Sequence, residues 1–457
     1  MTVSGSLLDG YRAALASVHG HAAVAAALAH EVAPQGPVHV LALGKAAEAM
    51  LAGAAAVWSK RIACALVVAP AGASPDVGSR GLVVERRPGN HPVPGAESLA
   101  AGHAVTRFLG RIATDDTLLV LLSGGASALA ELPRPNVDLP LLRELNTRLL
   151  AAGLDIRVMN ALRGRFSKLK AGGAAGLCPA SDIRVLFISD VPGDAPASVG
   201  SGPFWAPEST VPSEEVPDIG WPELQSLLER TEAPRPVERR PVHRLVAGNA
   251  DARRAVVRAS AEAGRQAWDH GLFAALSGAA LAAHLVRFLR GAPAGVHVWG
   301  GEAPVRLPEQ AGRGGRAQHL AALILLLWMA RGWPRPIELL SAATDGVDGN
   351  SGSAGAWFGD RHRDTVAGVR ARLRRALRSA DTAVFWESLG QTVPGTETGT
   401  NVMDLLVVRL GPPSGDARRG RGSYSRPSGM HATGFNPSEM AAPGVQAGLE
   451  GTPDATG

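Results

Sequence analysis

The feature that most constrains this 457-residue chain is an alternation of two patterns. Short, continuously apolar runs recur as PVHVLALG (37–44), ACALVVAP (63–70), GLVVE (81–85), DTLLVLLSGG (116–125) and DIRVLFISDVPGD (182–194). Between them lie stretches with helical periodicity, KAAEAMLAGAAAVW and ESLAAGHAVTRFLGRI among them, and residues 141–177 read as two helices. A strand that is apolar on both faces has to be covered on both faces, which points to a parallel sheet flanked by helices. The rhythm breaks between Trp205 and Val242, where prolines and acidic residues collect as in a connection between domains. It resumes with HRLVAGN, a helix ADARRAVVRASAEAG, and strands VHVWGGE (296–302), IELLSAATDG (337–346) and LLVVRL (405–410). The expected fold is α/β: two α/β domains, 1–235 and 236–410, with mainly parallel sheets and a cleft between them. Residues 411–457 are rich in Gly, Pro, Ser and Arg without periodicity and are expected to form a disordered tail.

Composition narrows the function. With 46% hydrophobic residues but 4% aromatics, the core is built from Ala, Val and Leu. The net charge of +5 is spread along the chain, with no basic block interleaved with aromatics. A nucleic-acid groove is not expected, whereas a small anionic substrate suits the surplus. The most apolar run, LAALILLLWMA at 320–330, is too short for a bilayer, and the N-terminus lacks a signal-peptide pattern. A cytoplasmic protein with no membrane partner is expected. Cys64 and Cys178 lie far apart in apolar surroundings and read as free thiols.

The residues with chemistry collect where strands end. LALGK, LLSGGAS, ISDVPGD, VWGGE and AATDGVDG share one form, an apolar strand breaking into a glycine turn that carries Ser, Asp, Glu or Lys. Ligands of an open parallel sheet bind beyond the carboxyl ends of its strands. Lys45 stands out because only four of the 46 basic residues are lysine, the others being Lys60, Lys168 and Lys170. Lysine is a compact point charge and arginine a planar fork, so a lysine kept in such a composition is expected to do what arginine cannot. The turn Ser123, Gly124, Gly125, with Ser127 after it, offers backbone N–H groups and hydroxyls as a cradle for a carboxylate or phosphate. Asp190 with Asp194, and Asp345 with Asp348, are oxygen donors of the type Mg²⁺ takes. NALRGRFSKLKAGG (160–173) reads as a helix that ends in Gly172–Gly173, with Arg163 and Lys170 seven residues apart on one face suited to gripping an anion. GRGGRA (312–317) fits G-x-G-x-x-A, but RLPEQA separates it from the strand before it, and no P-loop occurs anywhere. Together these features favour phosphoryl transfer between two α/β units.

The ordered set LALGKAAEAM, GNHPVPGAESLAAG, LLSGGASAL, N-x-x-R-x-x-x-S-x-x-K-x-G-G (160–173), SDVPGD with SGP (201–203), GGEAPV (300–305), GRGGR, TDGVDG with AGA (354–356) and TGTNVMDL (398–405) resembles the glycerate 2-kinase family. These are non-P-loop enzymes whose C-terminal part is called the MOFRL domain, and the resemblance covers about residues 6–410. It implies ATP-dependent phosphorylation of D-glycerate to 2-phosphoglycerate with Mg²⁺, in a cleft between two domains. It places Lys45, Arg316 and Asp190 at the reaction. Glycerate is then expected at Ser123, Gly124, Gly125, Ser127, Asn160, Arg163 and Lys170. The nucleotide is expected at Gly300, Gly301, Glu302, Thr344, Asp345 and Gly346, and the metal at Asp190, Asp194 or Asp345. A homodimer is compatible with the sequence, which does not give the oligomeric state. The family also carries the label hydroxypyruvate reductase, an NAD(P)H-dependent alternative. A further alternative is a non-catalytic or altered-substrate paralogue, because Asn-Gln-Glu usually follows GGR and this chain has Ala317, Gln318 and His319.

Overall fold

The computed structural model describes residues 5–74, 77–79, 81–152, 156–205, 216, 219–231 and 241–412. Most of the expected connection around 206–240, and the tail from residue 413, lie outside the described residues.

Two six-stranded sheets form the frame. The first contains β1 (Val38–Leu43), β2 (Ile62–Pro70), β3 (Val84–Gly89), β4 (Thr117–Leu122), β5 (Asp182–Ile188) and β6 (Val242–Ala247). Its order is β3-β2-β1-β4-β5-β6 and every pairing is parallel. β1 and β4 are buried along nearly their whole length because helices cover both faces. β6, grouped by sequence with the second half of the chain, pairs with β5 in the first sheet. The order reverses between β1 and β4, and a doubly wound sheet opens its ligand crevice at such a switch point.

The second sheet contains β7 (Ala267–Leu272), β8 (Gly295–Gly300), β9 (Ile337–Ala343), β10 (Ser353–Gly359), β11 (Thr392–Pro394) and β12 (Asp404–Leu410), in the order β11-β10-β9-β12-β8-β7. β7 and β8 are parallel, while β12 runs antiparallel between β8 and β9, and β10 antiparallel to β9 and β11. The structure is thus α/β with mainly parallel pairing overall, and the antiparallel pairs are confined to the second sheet. The apolar run of β12 reports burial on both faces and carries no information on direction. The inserted strand brings its amino end, Asn401–Asp404, beside the carboxyl ends of β8 and β9.

The two sheets share a core. One hydrophobic cluster includes Val40, Leu119 and Leu186 of the first sheet and Val298, Leu340, Leu405 and Val407 of the second. The helix Gly5–Ser17 packs on the helix Asn249–Glu262, and the buried Tyr11 hydroxyl donates to Ala343 O at 2.6 Å, at the tip of β9. GLVVE forms a strand only from Val84 onward, and VERRPG is largely exposed, as suits an edge. β7, AWDHGL, has no apolar run and gives no strand signal in the sequence.

Candidate active site

The switch-point turn is built from two strand ends latched together. The Lys45 N–H donates to Gly124 O at 2.9 Å, and the fully buried Ser123 hydroxyl accepts the Ala46 N–H at 3.0 Å. This latch aims the Lys45 side chain away from the first sheet. Its ammonium donates to Asp345 Oδ2, beyond the end of β9, at 2.7 Å. Asp190, just past the end of β5, accepts from Asn401 Nδ2 at 3.0 Å. Residue 124 has to be glycine for this approach, since a Cβ there would stand 1.8 Å from Asp190 Oδ2.

The second sheet supplies the facing wall. The guanidinium of Arg316, the first residue of the helix Arg316–Ala330, donates both arms of its fork to Glu302 at 2.5 and 2.6 Å. The carboxylate of Asp348 accepts the Ala317 and Gln318 N–H groups at 3.1 and 2.8 Å, so it caps this helix and fixes where Arg316 begins. Lys45, His91, Asp190, Glu302, Arg316 and Asp345 all line one cleft of about 1230 Å³.

Carboxylates outnumber cations here. Burial pushes Asp190 up to about 6, helped by the charge of Glu302 and opposed by Lys45. Burial likewise raises Asp348 to about 6 against its two backbone hydrogen bonds. Asp404 is raised well above the usual range by burial and then by Glu302. Burial opposes the charge of Arg316, but Glu302, Asp404 and Asp348 more than compensate and raise its pKa. His91 is pushed down to about 4 by the surrounding protein and by Lys45. A carboxylate that must be ionised to accept a proton is lost as pH falls through its folded-state pKa. The kcat/KM of any reaction using Asp190 as base should therefore fall tenfold per pH unit below about 6, where an unperturbed aspartate would hold activity to about 4. A pH–rate profile checks this limb, and Asp190→Asn should remove it together with most of the rate.

Of the residues expected at the site, Lys45, Asp190, Glu302, Arg316 and Asp345 meet in the cleft, with Gly124 and Gly125 at the turn beneath Asp190 and Lys45. Others serve the frame. Ser123 is the latch already described. The buried Thr344 hydroxyl donates to Met403 O at 2.7 Å and accepts the Val402 N–H at 2.8 Å. Gly300 backs onto the side chain of Asn249, Gly346 onto Thr396 O, and Gly301 onto Phe273. Asp194 does not line the cleft and lies instead against Gly248.

Ser127, Asn160, Arg163 and Lys170 form a separate cluster. The Ser127 and Ser201 hydroxyls are 2.8 Å apart, and Ser201 donates to Asn160 Oδ1 at 2.8 Å. The helix carrying Asn160 and Arg163 ends at Phe166, so Lys170 does not continue its face. Lys170 forms a buried ion pair with Glu131, and Arg163 donates to Asn146 Oδ1 at 3.0 Å. Burial lowers the pKa of both cations, and Glu131 opposes the shift. Lys170→Ala should therefore cost about 3–5 kcal/mol of stability, because it leaves the Glu131 charge buried and uncompensated. Urea unfolding measures this cost; a loss below about 1 kcal/mol would contradict a structural role.

His91, Asn401 and Asp404 went unassigned from sequence. Asp404 heads an apolar strand, where a lone carboxylate is itself a signal, but its neighbours become visible only once β12 is known to run antiparallel. Among the described residues no three His, Cys, Asp or Glu side chains stand close enough to hold a metal ion by themselves. No helix there is long and apolar enough to cross a membrane.

A doubly wound sheet with a lysine at its switch point, facing a mixed sheet with an arginine at a capped helix start, defines a two-sheet α/β protein with a cleft lined by charged side chains. Known proteins narrow that class. A domain described as of unknown function, DUF4147, matches residues 6–216, and the MOFRL family matches residues 295–404. A protein of Agrobacterium vitis, provisionally named hydroxypyruvate reductase, is 31% identical over 401 residues, covering 83% of this chain and 88% of its own length. The D-glycerate 2-kinase of Thermotoga maritima is 29% identical over 392 residues, covering 81% and 90%. The crystal structure of a glycerate kinase from Thermotoga maritima shares the fold, with a TM-score of 0.72 at 24% identity over 89% of this chain and 98% of that one. The chain belongs to the glycerate 2-kinase family, with a MOFRL domain in its second half.

Proposed function

We propose that this protein transfers the γ-phosphoryl group of ATP to the 2-hydroxyl of D-glycerate. The observation that carries this reading is the meeting of Lys45 and Arg316, from different sheets, in one cleft beside the raised carboxylate of Asp190. Phosphoryl transfer asks a protein mainly for positioning and for positive charge around the transferred oxygens. Glycerate sits against the Gly124–Gly125 turn, with its 2-hydroxyl toward Asp190. Asp190 takes the hydroxyl proton as the glycerate oxygen bonds to the γ-phosphorus. The bond from that phosphorus to the bridging oxygen breaks, and ADP leaves. Lys45 and Arg316 exchange their carboxylate partners, Asp345 and Glu302, for phosphoryl oxygens.

Mg²⁺ fits this donor set. Oxygen ligands are in excess over cations, and Asp345 together with nucleotide phosphates matches the way Mg²⁺ is held in such sites. When bound, the ion would neutralise phosphate charge.

Reductase chemistry lacks a comparable seat. The switch-point turn reads Gly44-Lys45-Ala46-Ala47, without the dinucleotide glycines, and residues 301–315 separate β8 from the helix that GRGGRA opens. A coupled assay of ADP release from purified protein, ATP, Mg²⁺ and D-glycerate tests the proposal. Oxidation of NADH by hydroxypyruvate in the absence of ATP, with no ADP formed in the kinase assay, would overturn it.

A further inference from the structure

The loop after β3, GNHPVPG (89–95), is tied down on both sides of His91. The buried Ser98 hydroxyl accepts the Asn90 N–H at 3.0 Å and the Gly95 N–H at 3.1 Å. The Asn90 amide donates to Glu97 at 3.0 Å, and Arg143 donates to Pro94 O at 3.3 Å. Gly89 abuts the backbone of Leu129, leaving no room for a Cβ. The imidazole of His91 is exposed into the cleft, and among the described residues no protein group hydrogen-bonds it. It leans over the switch-point turn: its Cδ2 and Nε2 lie 3.2 and 3.4 Å from the place a Cβ would take on Gly125, and Lys45 Cγ lies 3.2 Å from that same place.

A loop that fixes its backbone with so many bonds and offers one unpartnered ring beside the reacting centre is built for a ligand. Charge for the phosphates already comes from Lys45 and Arg316. A neutral imidazole has one donor and one acceptor, which complements a hydroxyl group. Resting on the kinase reading above, we infer that His91 is the substrate contact for the 3-hydroxyl of glycerate and sets the preference for a 2,3-dihydroxy acid over a 2-hydroxy acid lacking that group.

The test compares D-glycerate with D-lactate, which differs by the missing 3-hydroxyl. The wild type should favour glycerate by at least ~10-fold in kcat/KM, because only glycerate makes the hydrogen bond to the ring. His91→Ala should lower kcat/KM for glycerate by ~10-fold or more and leave lactate within about twofold, so the preference collapses. Unchanged turnover of lactate shows that the variant is folded. His91→Gln, which keeps a neutral donor and acceptor, should recover part of the preference. Equal losses on both acids, or none on either, would overturn the inference. Calorimetric binding of the two acids gives the same comparison without turnover. A wild type that binds glycerate more tightly than lactate, loses that difference in His91→Ala and phosphorylates neither would sink the kinase reading and keep this one. Binding that does not tell the acids apart would sink this one.

Discussion

Lys45→Arg is expected to lower kcat about a thousandfold although it keeps the charge. The ammonium reaches Asp345 at 2.7 Å along a stem that passes close over Gly125, between two latched turns. A guanidinium is broader, planar and longer, and it cannot place a point charge where the ammonium sits. The loss corresponds to about 4 kcal/mol of transition-state stabilisation. It should appear in kcat more than in KM, because the charge counts most where the transferred oxygens gain negative charge. Steady-state kinetics with a melting curve as control checks this. Near-normal turnover in Lys45→Arg would remove the argument drawn from the scarcity of lysine.

The reverse exchange on the opposite wall, Arg316→Lys, is expected to cost about 10²–10³ in kcat/KM. Arg316 is held by a two-armed contact to Glu302 and by its place at a helix start that Asp348 caps. A lysine would keep one charge, lose the fork, and swing freely at the mouth of the cleft. Lys45→Arg and Arg316→Lys combined should cost less than the product of the single losses, because both side chains act on one phosphoryl group and residues that act as a unit are not additive. Independent, fully multiplicative losses would mean that the two cations serve different ligands.

Much of this arrangement was legible in the sequence because burial and turn chemistry are local. The runs at 37–44 and 116–125 announce β1 and β4, and the glycine turns that end them announce the switch point where Lys45 sits. Direction and pairing are not local. β12 reads like any strand covered on both faces, so its antiparallel insertion, and with it Asn401 and Asp404 at the cleft, could not be read from pattern. The helix-face reading of Arg163 and Lys170 fails for a related reason. Their spacing fits one helix face, but the helix stops at Phe166, and the nearby carboxylate that takes Lys170, Glu131, is 39 residues away. His91 carried no signal of its own, because one histidine between asparagine and proline reads as a turn until the turn is seen to lie over Gly125.

The central claim is that the cleft joins a phosphoryl group to the hydroxyl next to a carboxylate. Phosphorus–proton correlation NMR of the product formed from ATP and D-glycerate reads this bond directly. The account predicts a phosphorus coupled to the single proton on carbon 2. A phosphorus coupled to the two protons on carbon 3, or release of inorganic phosphate with glycerate unchanged, would contradict it.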